Sequence, residues 1–345
     1  MRIARKPLLT ALTLSGALLL TACSGSATPE ASGGASGGGS GFPVTVEHAY
    51  GSTEIDAAPE RVAAVAWGNQ DVALALGVVP VGMPFVTFAD DNGDGILPWV
   101  QDAIDELGGE TPELFDEADG YNFEQVADAA PDVILGANSG MTEEDYGTLS
   151  EIAPTVAFPD DPWLVNWRES VTLNGQALGL ADEAETLVAE TEGVIADAAA
   201  AHPELEGTTF AYVWVDPSDD SSVYVYLPED ARVSFLHDLG MEDSEGVTQL
   251  GEENAGQFFA TVSAENIDLI ADSDIIVNYG DAGSLAALQA NPLLGSLPAV
   301  QNGAVAIIDQ LNPLAAATTT PTVLSIPWGI EEYTQLLADA AAKVQ

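Results

Sequence analysis

The segment Phe123-Glu-Gln-Val-Ala-Asp-Ala-Ala-Pro-Asp-Val-Ile-Leu135 carries a helical pattern that runs directly into a short apolar run. A glutamate stands in the first helical turn, and Pro-Asp separates the helix from Val-Ile-Leu. This order is typical of helix–strand units packed around a mainly parallel sheet. A similar segment, Ala264-Glu-Asn-Ile-Asp-Leu-Ile-Ala-Asp-Ser-Asp-Ile-Ile-Val277, recurs later with one extra residue. We therefore expect an α/β fold with two related, Rossmann-like lobes.

Outward from these segments, β-branched apolar runs alternate with helical patterns. The predicted strands are 61–66, 78–81, 131–135, 155–158, 209–214, 222–226, 274–278 and 304–308. The predicted helices are 71–76, 98–107, 122–130, 145–152, 231–239, 263–271, 284–294 and 331–344. Hydrophobic residues make up 47% of the 345-residue chain, which is enough for a sizeable core.

Residues 163–201 break the alternation, because they carry no strand pattern and no proline. Apolar or small residues recur there every three or four positions, which predicts one long helix. The chain is therefore expected to form an N-terminal α/β lobe over 43–162, an interlobe helix over 163–201 and a C-terminal α/β lobe over 202–345.

The first 23 residues have the pattern of a secretory leader. A basic start over residues 1–6 precedes an apolar run, and Leu20-Thr-Ala-Cys23 is similar to a bacterial lipobox. This predicts a lipoprotein signal peptide over 1–23 with Cys23 lipidated, for example by palmitate, and an ordinary signal peptide is the alternative. The apolar run is too short for a comfortable membrane span, which needs roughly 20 residues. Residues 24–42 are rich in Ser, Gly and Ala and predict a flexible tether.

The charge balance excludes nucleic acids as partners. The chain has 7 basic and 55 acidic residues, a net charge of −48. Removal of the leader would leave 4 basic residues against 55 acidic ones, a net charge of −51. Such a surface repels DNA, RNA and anionic membranes. Contact with the membrane is expected through the lipid anchor alone.

Most catalytic and metal signals are absent or incomplete. The single cysteine excludes disulfide pairs and cysteine-based zinc sites. His48, His202 and His237 lie far apart in the sequence, so metal-ion binding is a minor alternative. No nucleophile elbow, His-Glu-x-x-His or phosphate-binding Gly-Lys-Ser/Thr motif occurs, and we expect no enzymatic activity. A secreted hydrolase that uses a pair of carboxylates is the remaining alternative of another class.

One acidic loop matches the opening of a calcium-binding loop. Asp90, Asn92 and Asp94 stand at the spacing of its first oxygen ligands. The twelfth position is Gln101 rather than glutamate, and Pro98 falls where the exiting helix should begin. We favour an acidic surface turn and keep calcium binding as the alternative.

Several segments, in order along the chain, resemble the iron-siderophore branch of ABC-transporter substrate-binding proteins. In addition to 123–135 they are Pro59-Glu-Arg-Val62, Ala75-Leu-Gly-Val-Val-Pro-Val-Gly82, Leu149-Ser-Glu-Ile-Ala-Pro-Thr-Val156, Asn291-Pro-Leu-Leu294, Pro298-Ala-Val-Gln-Asn-Gly303 and Ser325-Ile-Pro-Trp-Gly329. The resemblance implies two lobes joined by one rigid long helix, with the ligand in a shallow cleft between them. It also implies that a monomer binds an Fe(III)-siderophore chelate and delivers it to an ABC permease.

The lipobox and tether look like those of Gram-positive bacteria, in which such proteins are anchored at the cell surface. We therefore expect this chain on the outer face of the cytoplasmic membrane. No cofactor is expected other than the lipid on Cys23.

The resemblance places the ligand among loops at the carboxyl ends of the strands, where open α/β sheets bind ligands in general. The side chains expected to line this cleft are Trp67, Phe85, Asn138, Ser139, Trp163, Trp167, Trp214, Tyr226 and Tyr279. The aromatic rings offer large apolar faces with polar edges, which suit a metal chelate. Arg168 and Arg232 are candidates to donate hydrogen bonds to chelate oxygens. The alternatives are core packing for the aromatics and salt bridges for the arginines.

The scarcity of cations predicts a neutral or cationic ligand. After the leader the chain retains only Arg61, Arg168, Arg232 and Lys343. A strongly anionic catecholate chelate needs several cations in its cleft, so a hydroxamate-type chelate such as a ferrioxamine fits better. Haem or a corrinoid is the alternative within the same binding class, with Tyr226 or Tyr279 as an axial ligand of haem.

Glu124 and Glu265 stand at equivalent places in the two related segments. In the family that the chain resembles, one surface glutamate per lobe docks into arginine pockets of the permease. A glutamate in the first turn of a helix also stabilises the helix by roughly 0.3–1 kcal/mol through the helix dipole. We expect these two residues to dock the permease, with a purely structural role as the alternative.

Overall fold

The computed structural model describes residues 41–215, 221–292 and 294–344. The predicted signal peptide, Cys23 and the predicted tether up to residue 40 lie outside these residues. Within the described part, no helix is both long enough and apolar enough to cross a membrane.

The first lobe contains a parallel sheet and an antiparallel hairpin. Its strands are β1 Val44–His48, β2 Gly51–Ile55, β3 Val62–Ala64, β4 Gly82–Pro84, β5 Glu113–Phe115, β6 Val133–Leu135 and β7 Thr155–Val156. Its helices are α1 Asn69–Ala75, α2 Pro98–Leu107, α3 Phe123–Asp128 and α4 Glu143–Ser150. β1 pairs with β2, and the other five strands form a parallel sheet in the order β5-β4-β3-β6-β7. The predicted α/β class is confirmed.

Local sequence signals explain where several of these helices begin and end. Pro98 opens α2 and Gly108 closes it in the left-handed conformation, as the sequence predicts for 98–107. The Asn122 side chain caps α3 by accepting a hydrogen bond from the Gln125 amide. The strand predicted at 78–81 begins four residues later, as β4 at Gly82. The reason is that the Val78 amide closes the end of α1 on Ala73, and Pro80 has no N–H to donate to a sheet.

Two helices, rather than the single one predicted over 163–201, join the lobes. α5 spans Trp167–Ala177 and α6 spans Ala181–Ala201. Between them Gly179 adopts φ +70°, a left-handed conformation that ends a helix. The Phe42 ring fills the space beside Gly179, and a Cβ there would lie 2.3 Å from it. The prediction is wrong at this point because glycine is compatible with both a helix and a break.

The second lobe contains a mixed sheet. Its strands are β8 Thr209–Trp214, β9 Ser222–Tyr226, β10 Glu242–Asp243, β11 Phe259–Ser263, β12 Ile275–Gly280 and β13 Val305–Asp309. Its helices are α7 Ala231–Asp238, α8 Glu245–Glu253, α9 Ser284–Ala290, α10 Pro298–Asn302, α11 Pro313–Thr319 and α12 Ser325–Ala341, with short 3-10 helices at Pro203–Leu205, Ala264–Ile270 and Leu294–Ser296. The main strand order is β11-β9-β8-β12-β13, with β10 beside β8. β8, β12 and β13 are parallel, whereas β9 runs antiparallel to β8 and β11.

The helix predicted over 263–271 is a 3-10 helix that follows an unpredicted strand, β11. Helices α8 and α11 were not predicted either. α8 is short and rich in glutamate, and α11 is a run of alanine and threonine that proline begins.

One apolar core continues from the first lobe into the second. Val72 and Trp99 of the first lobe belong to the same buried cluster as Phe210 and Tyr333 of the second. The Trp99 ring packs on Trp328 of α12 with ring centroids 5.1 Å apart. The lobes are therefore held together by packed side chains and not only by the connecting helices.

Replacing Gly179 by alanine is expected to destabilise the protein. The new Cβ would meet the Phe42 ring, and alanine is strained at this φ, so we expect a loss of about 1–3 kcal/mol in the free energy of unfolding. Urea denaturation monitored by circular dichroism measures it.

Gly193→Ala is the matched control, because Gly193 lies inside α6 with open space around it. Alanine there should raise stability by about 0.4–1 kcal/mol. Equal effects of the two substitutions would contradict the assigned break at Gly179.

Candidate functional site

Two adjoining cavities open between the lobes, at the carboxyl ends of strands. The first-lobe cavity has a volume of about 220 Å³ and is bounded mainly by the loops that follow β3, β4 and β5. The second-lobe cavity has a volume of about 210 Å³ and is bounded by residues of β8, β9 and β12. Trp67 and Phe88 line both cavities, so the two form one cleft. Open α/β sheets place their ligands at this edge.

Aromatic rings cross the cleft in an unbroken row. Trp67 stacks on Phe88 with centroids 6.2 Å apart, and Phe88 meets Tyr279 of the other lobe edge-on at 6.5 Å. Tyr279 lies 5.5 Å from Tyr212, which lies 5.5 Å from Tyr226. Trp67 keeps 41% of its surface exposed. The row gives the cleft a broad apolar wall with polar edges.

The structure brings six of the predicted residues to this cleft. Those at the second-lobe cavity are Trp67, Trp214, Tyr226, Arg232 and Tyr279. Phe85 lines the first-lobe cavity and lies directly over Gly95. A further cavity of about 460 Å³ adjoins the cleft through Tyr279 and Gln310.

Among the described residues, Arg232 supplies the only guanidinium that lines either cavity of the cleft. It lies 3.8 Å from the centroid of the Tyr226 ring, and its Nε donates to Asp230 Oδ1 at 2.7 Å. Burial disfavours its charged form, but the charge of Asp230 and the nearby tyrosines raise its pKa. The guanidinium therefore lies charged and in a fixed orientation on an aromatic face. It has further N–H donors besides the Nε–H that donates to Asp230.

Tyr226 is protonated at neutral pH, and the hydroxyl of Tyr279 is held by a hydrogen bond. Burial raises the pKa of Tyr226 to about 12, against the opposing effect of the Arg232 charge. The hydroxyl of Tyr279 is within 2.6 Å of Thr319 Oγ1 and shares a hydrogen bond with it. Tyr226 can thus offer an O–H donor, whereas Tyr279 is already engaged.

Carboxylates line the first-lobe cavity. Asp71 is buried, and its Oδ2 accepts hydrogen bonds from Trp99 Nε1 at 2.8 Å and from the Thr322 hydroxyl of the other lobe. Glu117 Oε2 accepts from the Ala66 amide at 3.0 Å. Burial raises the pKa of Asp71 to about 6, although the hydrogen bonds from Thr322 and Trp99 act to lower it. Burial also raises the pKa of Glu117 to about 7. Asp116 also lines this cavity.

Arg168 and Trp167 are not in the cleft cavities. Arg168 forms salt bridges with Glu192 and Asp238, each at 2.8 Å. For this residue the structure therefore shows the salt-bridge alternative. The indole of Trp167 is buried and donates to Asp238 at 3.0 Å, beneath the Arg168 guanidinium. These contacts tie the start of α5 to the end of α7.

Asn138, Ser139 and Trp163 support the cleft from behind. The Asn138 side chain donates to the Trp67 carbonyl at 3.2 Å and is buried, so it positions the Trp67 loop. Ser139 is also buried, and its carbonyl accepts from the Trp163 amide at 3.0 Å. Trp163 is half-exposed and lies against Gly140, outside both cavities.

The two proposed docking glutamates are exposed. Glu124 lies in the first turn of α3 and Glu265 in the first turn of the 3-10 helix Ala264–Ile270.

The calcium-like loop satisfies its own oxygens. The Asp90 carboxylate accepts from the amides of Asn92, Gly93 and Gly95, and Asn92 accepts from the Asp94 amide. These bonds are those of an acidic turn. The three histidines have separate partners: Thr53 for His48, Glu204 for His202 and Asp243 for His237. Across the described ranges, no group of three or more His, Cys, Asp or Glu is placed to hold a metal ion.

Sequence reasoning missed Phe88, Asp71, Trp99 and Glu117. Phe88 lies beyond the end of β4, close to the predicted Phe85, and could have been found by extending the loop. No sequence signal distinguishes Asp71 and Glu117, because the chain has 55 acidic residues.

Comparisons with known proteins find similarity over most of the chain. The family model described as periplasmic binding protein matches residues 62–311. The probable siderophore-binding lipoprotein YfiY of Bacillus subtilis is 30% identical over 232 residues, covering 66% of this chain and 66% of YfiY. The ferric enterobactin-binding periplasmic protein FepB of Escherichia coli is 29% identical over 198 residues, covering 52% of this chain and 57% of FepB. The chain thus aligns with two thirds or less of each of these relatives.

Among solved structures, PiaA of Streptococcus pneumoniae in complex with ferrichrome is 42% identical, with a TM-score of 0.84. The match covers 88% of this chain and all of that chain.

Proposed function

The chain belongs to the periplasmic binding protein family, and we propose that it captures a ferric siderophore of hydroxamate type for an ABC importer. The observation that carries the proposal is the cleft itself, where a row of aromatic rings ends at a single oriented guanidinium. Aromatic faces suit the apolar body of a chelate, and the N–H donors of Arg232 suit its hydroxamate oxygens. Ferrichrome, the ligand in the PiaA complex, supports the same chemical class.

The charge of the cleft favours a neutral or cationic chelate. Arg232 is paired with the buried Asp230, so this pair contributes little net positive charge. Asp71, Asp116 and Glu117 line the adjoining cavity. An anionic catecholate chelate would meet net repulsion in such a site, because charges interact strongly where water is excluded.

The same cleft disfavours haem. A tyrosine that ligates iron must lose its proton, and burial raises the pKa of Tyr226 to about 12. The Tyr279 hydroxyl is bonded to Thr319. Neither side chain is prepared to act as an axial ligand.

We propose binding without catalysis as the mechanism, with small closure on loading. The shared core and the Asp71–Thr322 contact join the lobes directly, which restrains hinge motion. The solved relative PiaA is an ABC-transporter substrate-binding protein rather than an enzyme. We further propose that the protein acts as a monomer, held on the outer face of the cytoplasmic membrane by a lipid on Cys23.

Substitution of the cleft arginine tests the binding role. Arg232→Lys keeps the charge beside Asp230 but removes the planar fork and its stacking on Tyr226. We expect the affinity for a ferric trihydroxamate, measured by isothermal titration calorimetry, to fall about 10- to 100-fold.

Arg168→Lys is the matched control, since Arg168 lies in salt bridges outside the cleft. Its affinity for the same chelate should stay within about twofold of the unsubstituted protein. Equal affinities of the two variants would show that Arg232 is not part of the binding site.

Delivery to the permease is tested by charge reversal of the two exposed glutamates. We expect Glu124→Lys combined with Glu265→Lys to leave chelate binding intact, because neither residue is among those that line the two cleft cavities. Uptake of labelled iron chelate by cells that depend on this protein should fall about tenfold or more, since docking through opposite charges is reversed.

Glu143→Lys combined with Glu144→Lys, two exposed glutamates in the first turn of α4, controls for the same change in net charge and should leave uptake unchanged. Normal uptake by the variant of Glu124 and Glu265 would refute the docking role. In the same cells, Cys23→Ser should release the protein from the membrane fraction, and retention there would refute the lipid anchor.

A further inference from the structure

The first-lobe cavity contains carboxylate oxygens that lack a donor. Asp71 Oδ1 and Glu117 Oε1 are both shielded from solvent and have no hydrogen-bond partner among the described residues. The second oxygen of each carboxylate is satisfied, by Trp99 and Thr322 for Asp71 and by the Ala66 amide for Glu117. A buried carboxylate oxygen without a donor costs free energy. A ligand that places hydrogen-bond donors in this cavity would recover that free energy.

The walls of the cavity define what kind of donor fits. Aromatic rings of Trp67, Phe85, Phe88 and Trp99 surround the space, and Asp71, Asp116 and Glu117 contribute carboxylates. None of the residues that line the cavity in the part of the chain that the structure describes is a lysine, arginine or histidine. Aromatic faces together with carboxylates are the environment that an ammonium group prefers, because it carries a charge and three N–H donors.

The first-lobe cavity is placed to receive one arm of a ligand that is bound in the second-lobe cavity. It shares Trp67 and Phe88 with the second-lobe cavity, in which Arg232 lies. Its volume of about 220 Å³ lies below the usual range of roughly 300–1,000 Å³ for ligand pockets. The cavity is therefore too small for a whole ferric chelate. A flexible side arm fits this space.

We propose that the first-lobe cavity is a subsite for a protonated amine, and that the preferred ligand is a ferric trihydroxamate with a terminal primary ammonium. Asp71 Oδ1 and Glu117 Oε1 accept the N–H donors, and the surrounding rings contact the alkyl arm and its charge. The raised pKa values of these two carboxyls agree with a site that has no cation of its own. The inference rests on the proposed function, since the chelate must bind beside Arg232 for its arm to reach this cavity.

The experiment compares two forms of one linear ferric trihydroxamate, with its terminal amine free or acetylated. Acetylation removes the positive charge and leaves the chelate unchanged. By isothermal titration calorimetry on the full protein, we expect the free amine to bind about tenfold more tightly than the acetylated form, or better.

Glu117→Gln should reduce this ratio to within about twofold, because the charge is lost. Its amide oxygen can still accept from the Ala66 amide. Glu113→Gln is the matched control, an exposed glutamate at the start of β5, and should keep the full ratio. This control separates a local subsite from the general attraction of an acidic protein for cations.

Equal affinities for the free and acetylated forms in the unsubstituted protein would overturn the subsite while leaving the proposed function in place. This comparison needs no variant and therefore holds even if Glu117→Gln fails to fold. Absence of binding by both forms and by ferrichrome would instead overturn the proposed function. An undiminished ratio in Glu117→Gln would also refute the subsite as assigned.

Discussion

The direct contact between the lobes sets the geometry on which the cleft depends. Asp71 at the start of α1 is buried, and its carboxylate accepts hydrogen bonds from Trp99 of its own lobe and Thr322 of the other. Trp99 in turn packs on Trp328 of α12. A buried carboxylate that lost these donors would be strongly destabilised, so the two lobes are held in one arrangement. This contact, together with the packing of Trp99 on Trp328, helps to set the spacing of the cleft walls.

The fixed cleft suits the proposed capture of an iron chelate by an acidic protein with few cations. Trp67, Phe88 and Tyr279 provide apolar surface from both lobes, so the proposed binding would not rely on net charge alone. Arg232 is the exception, and Asp230 and Tyr226 hold it in place on the cleft wall. In the proposed binding, orientation of one donor group on an aromatic wall would give a specificity that a cluster of mobile lysines would not.

Sequence patterns predicted the parts of this architecture that depend on local chemistry. Helix α2 was predicted with its bounds, and the structure shows that proline begins it and glycine ends it. Trp214 and Tyr279 were placed in the cleft because the family resemblance puts the ligand at the carboxyl ends of the strands. The break at Gly179 was missed, since only the Phe42 ring, distant in sequence, shows that glycine is required there. Arg168 and Arg232 look alike in a chain with 55 acidic residues, and only the fold shows which one meets Asp238 and Glu192.

The central claim is that the cleft binds a ferric trihydroxamate, and tryptophan fluorescence tests it most directly. Trp67 and Trp214 both line the second-lobe cavity, so a bound ferric chelate should quench their emission. Titration with ferrioxamine and ferrichrome is expected to give saturable quenching with a dissociation constant below about 1 μM, and a ferric catecholate or haem should bind far more weakly. Tight binding of the catecholate or haem, with no saturable response to either trihydroxamate, would contradict the account.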